Sequence, residues 1–168
     1  MESLLKVRKF EVFRKEIIGN DGKARPFEFV SHTGSVTILP LIDDKHCLML
    51  RQFRPALDRE LWELPAGTMD KPGEKPEETA RRELEEETGH VAARFEFLCE
   101  FYLSPGFLNE KIQSFVARDL KKKSTLHLEP TEKVLAVEVK SLKDAMEMIR
   151  KGEIVDAKTI ITLMRYVQ

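Results

Sequence analysis

The sequence predicts an α/β fold in which a mixed β-sheet carries helices on both sides and an N-terminal β-hairpin precedes the sheet. Apolar runs with the periodicity of strands dominate the chain before residue 65. One highly charged helical segment follows, then further strand-like runs, and two helical segments end the chain. Strands that are interrupted by one helix and closed by two others are typical of a sheet packed between helices.

The first elements are predicted to form the hairpin. Residues 5–18 alternate apolar and polar side chains, residues 20–23 have the turn sequence Asn-Asp-Gly-Lys, and residues 25–31 return as a second strand. Apolar runs predict six later strands, at residues 35–42, 46–53, 60–64, 92–103, 111–117 and 133–139.

Three helices are predicted from their end signals. The first spans Pro76–Thr88, because proline suits the first turn, where its missing N–H costs nothing, and Gly89 suits the C′ position. The other two span residues 142–151 and 157–167, and Asp156 is a suitable N-cap for the last helix.

Composition favours a compact domain and argues against several classes of partner. With 42% hydrophobic residues and no internal repeat or linker, residues 1–168 are expected to form a single domain. The 28 basic and 29 acidic residues leave a net charge of −1, which gives no attraction to bulk nucleic acid or to an anionic membrane. We find no signal peptide and no membrane span, so we expect a cytoplasmic protein. Its isolated Cys47 and Cys99 are expected to be buried, reduced thiols.

Three glutamates on the first predicted helix are the most informative residues. Glu83, Glu86 and Glu87 occupy positions i, i+3 and i+4, so their side chains share one helix face. Like charges at this spacing repel, and a cation such as Mg²⁺ or Mn²⁺ would convert the repulsion into oxygen ligation. The alternative is a solvated charged face that pairs with Arg81 and Arg82.

These glutamates belong to a longer pattern that resembles the Nudix box, G-x5-E-x7-R-E-U-x-E-E-x-G-U, in which U is a bulky aliphatic residue. Gly67 and Glu74, in the loop before the helix, match the first two positions, and residues 82–89 match the later ones. The match has two departures, because six residues instead of five separate Gly67 from Glu74, and His90 occupies the last aliphatic position. The insertion precedes the helix and leaves the helical carboxylates in register.

The resemblance implies a Nudix-type α/β/α sandwich and a metal site. It implies that Glu83, Glu86 and Glu87 are metal ligands and that the backbone carbonyl of Ala66 completes the ligand set. The expected cofactor is Mg²⁺, with Mn²⁺ as a substitute, at two or three ions per site. Such ions would withdraw electron density from phosphorus and activate water for in-line attack.

Residues outside the box resemble the ADP-ribose pyrophosphatase branch of the family and the related nucleoside diphosphate sugar hydrolases. Pro105 lies 15 residues beyond His90, within the stretch Ser-Pro-Gly-Phe-x-x-Glu-Lys, and this offset is typical of the branch. Residues 30–36, 51–55 and 60–67 resemble the same branch. The resemblance therefore covers most of the chain.

The branch resemblance implies cationic contacts to the substrate. In this branch, basic side chains after the second core strand meet the diphosphate or the terminal ribose, which suits Arg51 or Arg54 because guanidinium groups offer planar paired donors. The alternative is that these arginines are strand-edge residues paired with Glu60 or Glu63.

Aromatic residues are candidates for stacking a base. Phe27, Phe29 and Phe107 have suitable rings, and a core or interface role is the alternative for each of them. The full set of predicted substrate-binding residues is Arg51, Arg54, Glu63, Phe29, Pro105, Gly106, Phe107 and Glu110.

A general base must accept the proton of the attacking water. In this branch a glutamate on a loop after the box does so, and Glu132 is our first candidate, Glu129 our second and Glu110 our third. Glu86 is the further predicted catalytic residue, on the box helix. An ordinary solvated loop acid is the alternative for each loop candidate.

The predicted function is magnesium-dependent hydrolysis of a nucleoside diphosphate sugar, with ADP-ribose cleaved to AMP and ribose 5-phosphate as the first choice. GDP-mannose or a broad range of nucleoside diphosphate sugars is the nearest alternative. A non-catalytic nucleotide-binding module and an RNA-cap hydrolase are alternatives of other classes. Because N-terminal strands exchange between subunits in this branch, residues 1–34 are also expected to form a homodimer.

Overall fold

The computed structural model describes residues 1–123, 126, 128 and 133–168. The strands and helices of this part of the chain are β1 (Glu2–Lys6), β2 (Glu11–Ile18), β3 (Ala24–Ser31), β4 (Ser35–Pro40), β5 (His46–Arg54), β6 (Arg59–Glu63), β7 (Ala66–Thr68), α1 (Pro76–Thr88), β8 (His90–Tyr102), β9 (Lys111–Lys122), β10 (Val134–Ser141), α2 (Leu142–Arg150) and α3 (Ala157–Val167).

The N-terminal strands form an antiparallel sheet in the order β1-β2-β3. The predicted hairpin is confirmed as β2 and β3, which pair along their whole length. The single strand predicted over residues 5–18 is wrong, because the chain turns at residues 7–10, where the Val7 N–H donates to the Phe10 carbonyl at 3.0 Å. This turn folds β1 back onto β2 and makes the hairpin a three-stranded sheet.

Two further sheets form the core. The first has the order β10-β5-β6 and is antiparallel, and the second has the order β7-β4-β9-β8 and is mixed, because β4 and β9 are parallel. Strand β7 was not predicted, since its three residues have no apolar periodicity and are defined by pairing with β4. Strand β9 extends beyond the predicted end at residue 117, because its last residues pair with the start of β8.

Strand β4 lies at the centre of a layered core. Val36 and Ile38 pack with Leu84 of α1 on one side of the mixed sheet, whereas Leu39 on the alternate side packs with Leu163 of α3. Both faces of β4 are buried because successive side chains point to opposite faces and each face is covered by helix. The predicted α/β/α sandwich with a mixed sheet is therefore confirmed.

Helix α1 has the bounds predicted from the sequence. Pro76 stands in its first turn, and Gly89 adopts the left-handed conformation at φ 70°, with its N–H donated to the Glu85 carbonyl. A glycine is favoured there because other residues are strained at positive φ.

Both cysteines are free thiols, as predicted, but only Cys47 is fully buried, whereas Cys99 is half-buried. Burial raises the pKa of the Cys47 thiol to about 12, so this group stays protonated and packs as an apolar side chain. Within the part of the chain that the structure describes, no helix has the length and apolar character needed to cross a membrane.

Candidate active site

A cleft of about 610 Å³ opens where α1, β5, β7 and the N-terminal end of α3 meet. Helix α1 contributes the three predicted carboxylates, and β7 contributes Ala66 and Gly67. The structure thus brings the four predicted metal ligands to one cavity, although the helix and β7 are joined by an irregular loop.

The three helix carboxylates have different partners. Glu83 and Glu87 are buried, with 6% and 2% of their surface exposed, and Glu86 is half-buried. The Arg82 Nη1 group donates to Glu83 Oε1 at 2.6 Å and to Glu86 Oε2 at 2.9 Å. Glu87 Oε2 accepts the Ala66 N–H at 2.9 Å, which ties α1 to β7.

Glu74 holds Arg82 in position. The Arg82 Nε and Nη2 groups donate to the two Glu74 carboxylate oxygens, each at 3.1 Å, and the Thr79 hydroxyl donates to Glu74 Oε2 at 2.9 Å. The hydrogen bonds from Arg82 lower the pKa of Glu74 below its ordinary value, and the Thr79 bond adds to this effect against the opposing effect of burial. The extra loop residue before Glu74 leaves this arrangement intact.

Gly67 explains why the box needs a glycine. A Cβ atom at this position would overlap the carboxylate of Glu83, so any side chain would push that carboxylate away from β7. The close approach of loop and carboxylate therefore depends on a residue without a side chain.

The donor set suits a hard divalent cation. Carboxylates and a backbone carbonyl supply oxygen atoms alone, which is the ligand type that Mg²⁺ prefers. Within the described residues, no three His, Cys, Asp or Glu side chains stand in an arrangement that would hold an ion without adjustment. Two of the three predicted carboxylate ligands instead accept hydrogen bonds from Arg82. Their role as ligands stays a prediction that the chemistry of the cleft supports.

Strand β5 separates the two predicted arginines. Gln52 and Arg54 line the cleft, whereas Arg51 lies on the alternate side of the strand and its Nε group is 3.3 Å from Glu60 Oε2. This separation follows from the period of two along a strand. Arg51 therefore does not line the cleft of its own chain, and its role in substrate binding stays a prediction.

Glu63 is buried beneath the cleft and holds Arg54. Its carboxylate is 1% exposed and accepts two hydrogen bonds from Arg54, from Nε at 2.7 Å and from Nη2 at 2.5 Å. Burial acts to raise the pKa of Glu63, but the Arg54 hydrogen bonds and the charge of Lys158 outweigh burial and lower it. The predicted pairing of Arg54 with Glu63 is confirmed, and Arg54 also lines the cleft, whereas its contact with a substrate stays a prediction.

Asp156, the residue before α3, and Lys158 in its first turn also line the cleft, and sequence reasoning did not place them there. Asp156 was predicted as a helix N-cap, which is confirmed, because its Oδ2 atom accepts the Thr159 N–H at 3.0 Å. No local pattern in the sequence indicates that this helix end lies against the cleft.

Glu110 reaches the cleft from the loop after β8. Its Oε1 atom accepts the Ser35 hydroxyl at 2.6 Å and lies 3.6 Å from His32 Nδ1. The preceding Asn109 donates its N–H to the Val30 carbonyl at 3.1 Å and accepts the His32 N–H at 2.8 Å. The end of β3 therefore sets the position of this loop.

The predicted aromatic contacts lie around a second cavity of about 370 Å³. Phe29, Pro105 and Phe107 line it, and Phe29 stacks on Phe27 with ring centroids 6.5 Å apart. Gly106 lies in the same turn but is not in the lining. Base stacking by these rings stays a prediction.

The two leading candidates for the general base, Glu129 and Glu132, lie outside the described residues. Their roles stay predictions. Of the three loop glutamates considered, Glu110 is the one whose position in the cleft is described.

Sequence and structure comparisons identify the family of this chain. The sequence model of the NUDIX domain matches residues 31–163. The chain belongs to the Nudix family. Among curated proteins, it is 37% identical over 168 residues to an ADP-ribose pyrophosphatase of Bacillus subtilis, covering 99% of this chain and 89% of the relative.

Other Nudix relatives have different names. The chain is 38% identical to a methanol dehydrogenase activator of Bacillus methanolicus, covering 88% of this chain and 79% of the relative. It is 34% identical to a GDP-mannose pyrophosphatase of Salmonella typhimurium, covering 80% and 73% respectively. A crystal structure of an ADP compounds hydrolase aligns with a TM-score of 0.83 and 26% identity, covering 98% of this chain and 88% of the other. The predicted family is therefore confirmed.

Proposed function

We propose that this protein hydrolyses the diphosphate linkage of nucleoside diphosphate sugars, with ADP-ribose cleaved to AMP and ribose 5-phosphate. The observation that carries the proposal is the convergence of Glu83, Glu86, Glu87 and the Ala66 backbone with the Arg54 guanidinium at one cleft. The name of the Bacillus subtilis relative, which matches nearly the whole chain, supports ADP-ribose as the first substrate.

The described side chains have distinct roles in this proposal. Divalent metal ions are the general cofactors of Nudix hydrolases, and Mg²⁺ held by Glu83, Glu86, Glu87 and the Ala66 carbonyl would neutralise the diphosphate and activate water. Arg54 donates to a diphosphate oxygen, because its planar group is already oriented by Glu63. Arg82 keeps two of the carboxylates in place.

Proton acceptance is assigned to a loop glutamate. Glu132 remains the first candidate and Glu129 the second. Glu110 is the third, and its hydrogen bond from Ser35 suits a carboxylate that is held in a fixed position in the cleft. A comparison of pH profiles of kcat for the three Gln variants would assign the base, because loss of the acidic limb, where protonation inactivates a carboxylate base, identifies it.

A second candidate substrate is GDP-mannose. The Salmonella relatives support it, and their GDP-mannose pyrophosphatase names share the diphosphate chemistry with a different base and sugar. The non-catalytic module is disfavoured because all three box glutamates are present. An RNA-cap hydrolase is disfavoured by the near-neutral charge balance, which gives no net attraction to an RNA chain, and by Pro105, which resembles the nucleoside diphosphate sugar branch.

The first test is a substrate panel with and without Mg²⁺. ADP-ribose, GDP-mannose, ADP-glucose, UDP-glucose, a dinucleoside polyphosphate and dGTP are incubated with the protein, and the products are separated by chromatography. Selective release of AMP from ADP-ribose supports the narrow proposal, and comparable cleavage of several sugars supports the broad one. Absence of turnover on all six would refute the proposed activity.

The subunit arrangement is a further proposal. The β1-β2-β3 sheet exposes apolar side chains, among them Leu5 and Ile18, which are 53% and 71% exposed, and we propose that a second copy covers them in a homodimer. Light scattering measures the mass directly, and a monomeric mass at working concentration would refute the dimer. The cytoplasmic location remains a prediction from the sequence.

A further inference from the structure

The N-terminal end of α3 is bonded to the strand segment that leads into β7. The Leu64 N–H donates to the Thr159 hydroxyl at 2.9 Å, and that hydroxyl donates to Asp156 Oδ2 at 2.6 Å. One residue earlier, Glu63 accepts a hydrogen bond from Lys158 Nζ at 2.5 Å. Helix α3 therefore supports the cleft through polar bonds across 95 residues of sequence.

Lys158 completes a buried charge network. Its side chain is 13% exposed, and its ammonium group also donates to Asp156 Oδ1 at 2.8 Å. The Glu63 Oε2 atom accepts from both Lys158 and Arg54. Glu63 thus faces two cations, and a carboxylate as buried as Glu63 stays ionised only with such partners.

From this network we infer that Lys158 is a positioning residue that acts on the substrate through Glu63 and Arg54. The inference rests on the proposed function, because it assumes that Arg54 binds the diphosphate. Arg54 is 37% exposed at its side chain and lines the cleft, whereas the carboxylate that orients it is fully buried. An ionised Glu63 accepts two hydrogen bonds from the Arg54 guanidinium and so fixes the plane of that group.

Loss of Lys158 weakens the hydrogen bonds between Glu63 and Arg54. Without the ammonium group, burial disfavours the ionised form of Glu63, and a protonated carboxyl accepts a shared guanidinium bond less well. Arg54 then populates other rotamers, and its side chain must lose this conformational entropy when the diphosphate binds. The expected result is weaker substrate binding with little change in the chemical step.

The test separates KM from kcat. We expect Lys158→Met to raise KM for ADP-ribose about tenfold and to change kcat less than about threefold. Lys158→Arg, which keeps the charge, should stay within about threefold of the wild-type KM. The matched control is Lys151→Met, because Lys151 lies at the end of α2 and is 60% exposed, outside the cleft. A purely structural role of Lys158 would lower the folded fraction, hence kcat, at unchanged KM.

A double mutant decides whether Lys158 acts through Arg54. If it does, Arg54→Met with Lys158→Met should raise KM by about as much as Arg54→Met alone. Multiplication of the two effects would mean that Lys158 binds the substrate directly, which overturns the inference. An unchanged KM in Lys158→Met also overturns it.

Two further measurements keep the outcome decisive. If Lys158→Met does not fold, Glu63→Gln with Lys158→Met removes the buried carboxylate charge that has lost its Lys158 partner and should show the same raised KM. Calorimetric titration with ADP-ribose in the absence of divalent metal gives a dissociation constant independent of turnover. A wild type that binds ADP-ribose in this titration but does not cleave it when Mg²⁺ is added refutes the proposed activity alone. Equal affinities of wild type and Lys158→Met refute the inference.

Discussion

The N-terminal sheet and the mixed sheet differ in how their apolar residues are used. In β4 of the mixed sheet every residue is buried, and both faces pack against helices or other strands. In β1 every residue is exposed, and β2 exposes its last five residues, including Ile18. One region is therefore stabilised by burial within the chain, whereas the other is held by backbone pairing and offers its apolar side chains for a partner. The contrast teaches that the buried core and the predicted metal ligands lie in the mixed sheet and α1.

The largest expected effect concerns the acids of α1. Replacing Glu87 by Gln keeps an oxygen that can accept the Ala66 N–H but removes the charge. We expect kcat to fall about a thousandfold, because the charge on a metal ligand is lost. Thermal unfolding should change by only a few degrees, which circular dichroism would check. Glu16→Gln on the N-terminal sheet is the matched control and should retain wild-type turnover. Wild-type turnover in Glu87→Gln would contradict the assignment of Glu87 as a metal ligand.

The next prediction compares burial in the two sheets. Ile38 of β4 is fully buried against α1. We expect Ile38→Ala to lower the free energy of unfolding by about 3 kcal/mol. Ile18 is 71% exposed. In a monomer, we expect Ile18→Ala to lower the free energy of unfolding by less than about 0.5 kcal/mol. Urea unfolding measures both. A cost above about 1.5 kcal/mol at Ile18 at a protein concentration where the chain is monomeric would contradict the comparison. The same cost at a concentration where the proposed homodimer forms would support burial of this residue by the second copy.

A smaller effect is expected where the two regions meet. Asn109 bonds the loop that carries Glu110 to the end of β3, through its contacts with Val30 and His32. Asn109→Ala removes the side-chain acceptor of the His32 N–H and keeps the backbone bond to Val30. We expect kcat/KM to fall about tenfold because the loop is then held less firmly, with little change in melting temperature. Asn109→Asp keeps an acceptor for the His32 N–H and should recover most of the loss. Equal activity of wild type and Asn109→Ala would show that the side-chain bond to His32 does not position the loop.

The smallest prediction concerns pH. Because the folded state lowers the pKa of Glu74 below the ordinary value of 4.5, its pairing with Arg82 stabilises the protein above that pH, and this stability is lost as pH falls through the lowered pKa. Glu74→Gln should therefore cost about 1 kcal/mol at pH 7 and progressively less below about pH 4. Denaturant unfolding at a series of pH values tests this. A cost that does not change with pH would mean that the charge of Glu74 contributes nothing.

The sequence predicted the parts of the site that are local. The strand positions in the core were correct to within a few residues, except for β7 and the break between β1 and β2. Strand β7 escaped prediction because pairing with β4, and not its own side chains, makes it a strand. The break between β1 and β2 was not predicted, because the turn that divides this alternating run contains neither glycine nor proline. Both errors arise where backbone pairing outweighs side-chain pattern.

The sequence by itself determined helix α1, from Pro76 to its glycine cap, and the set of carboxylates on one of its faces. These features depend on helical spacing and on cap residues that are neighbours in the chain. Only the tertiary structure decided that Lys158 and Arg54 share Glu63, and that Arg51 lies away from the cleft. The physical reason is that a buried ion pair between residues 95 apart has no periodic signature. It exists because folding brings a helix end against a strand end, and a buried charge requires a partner there.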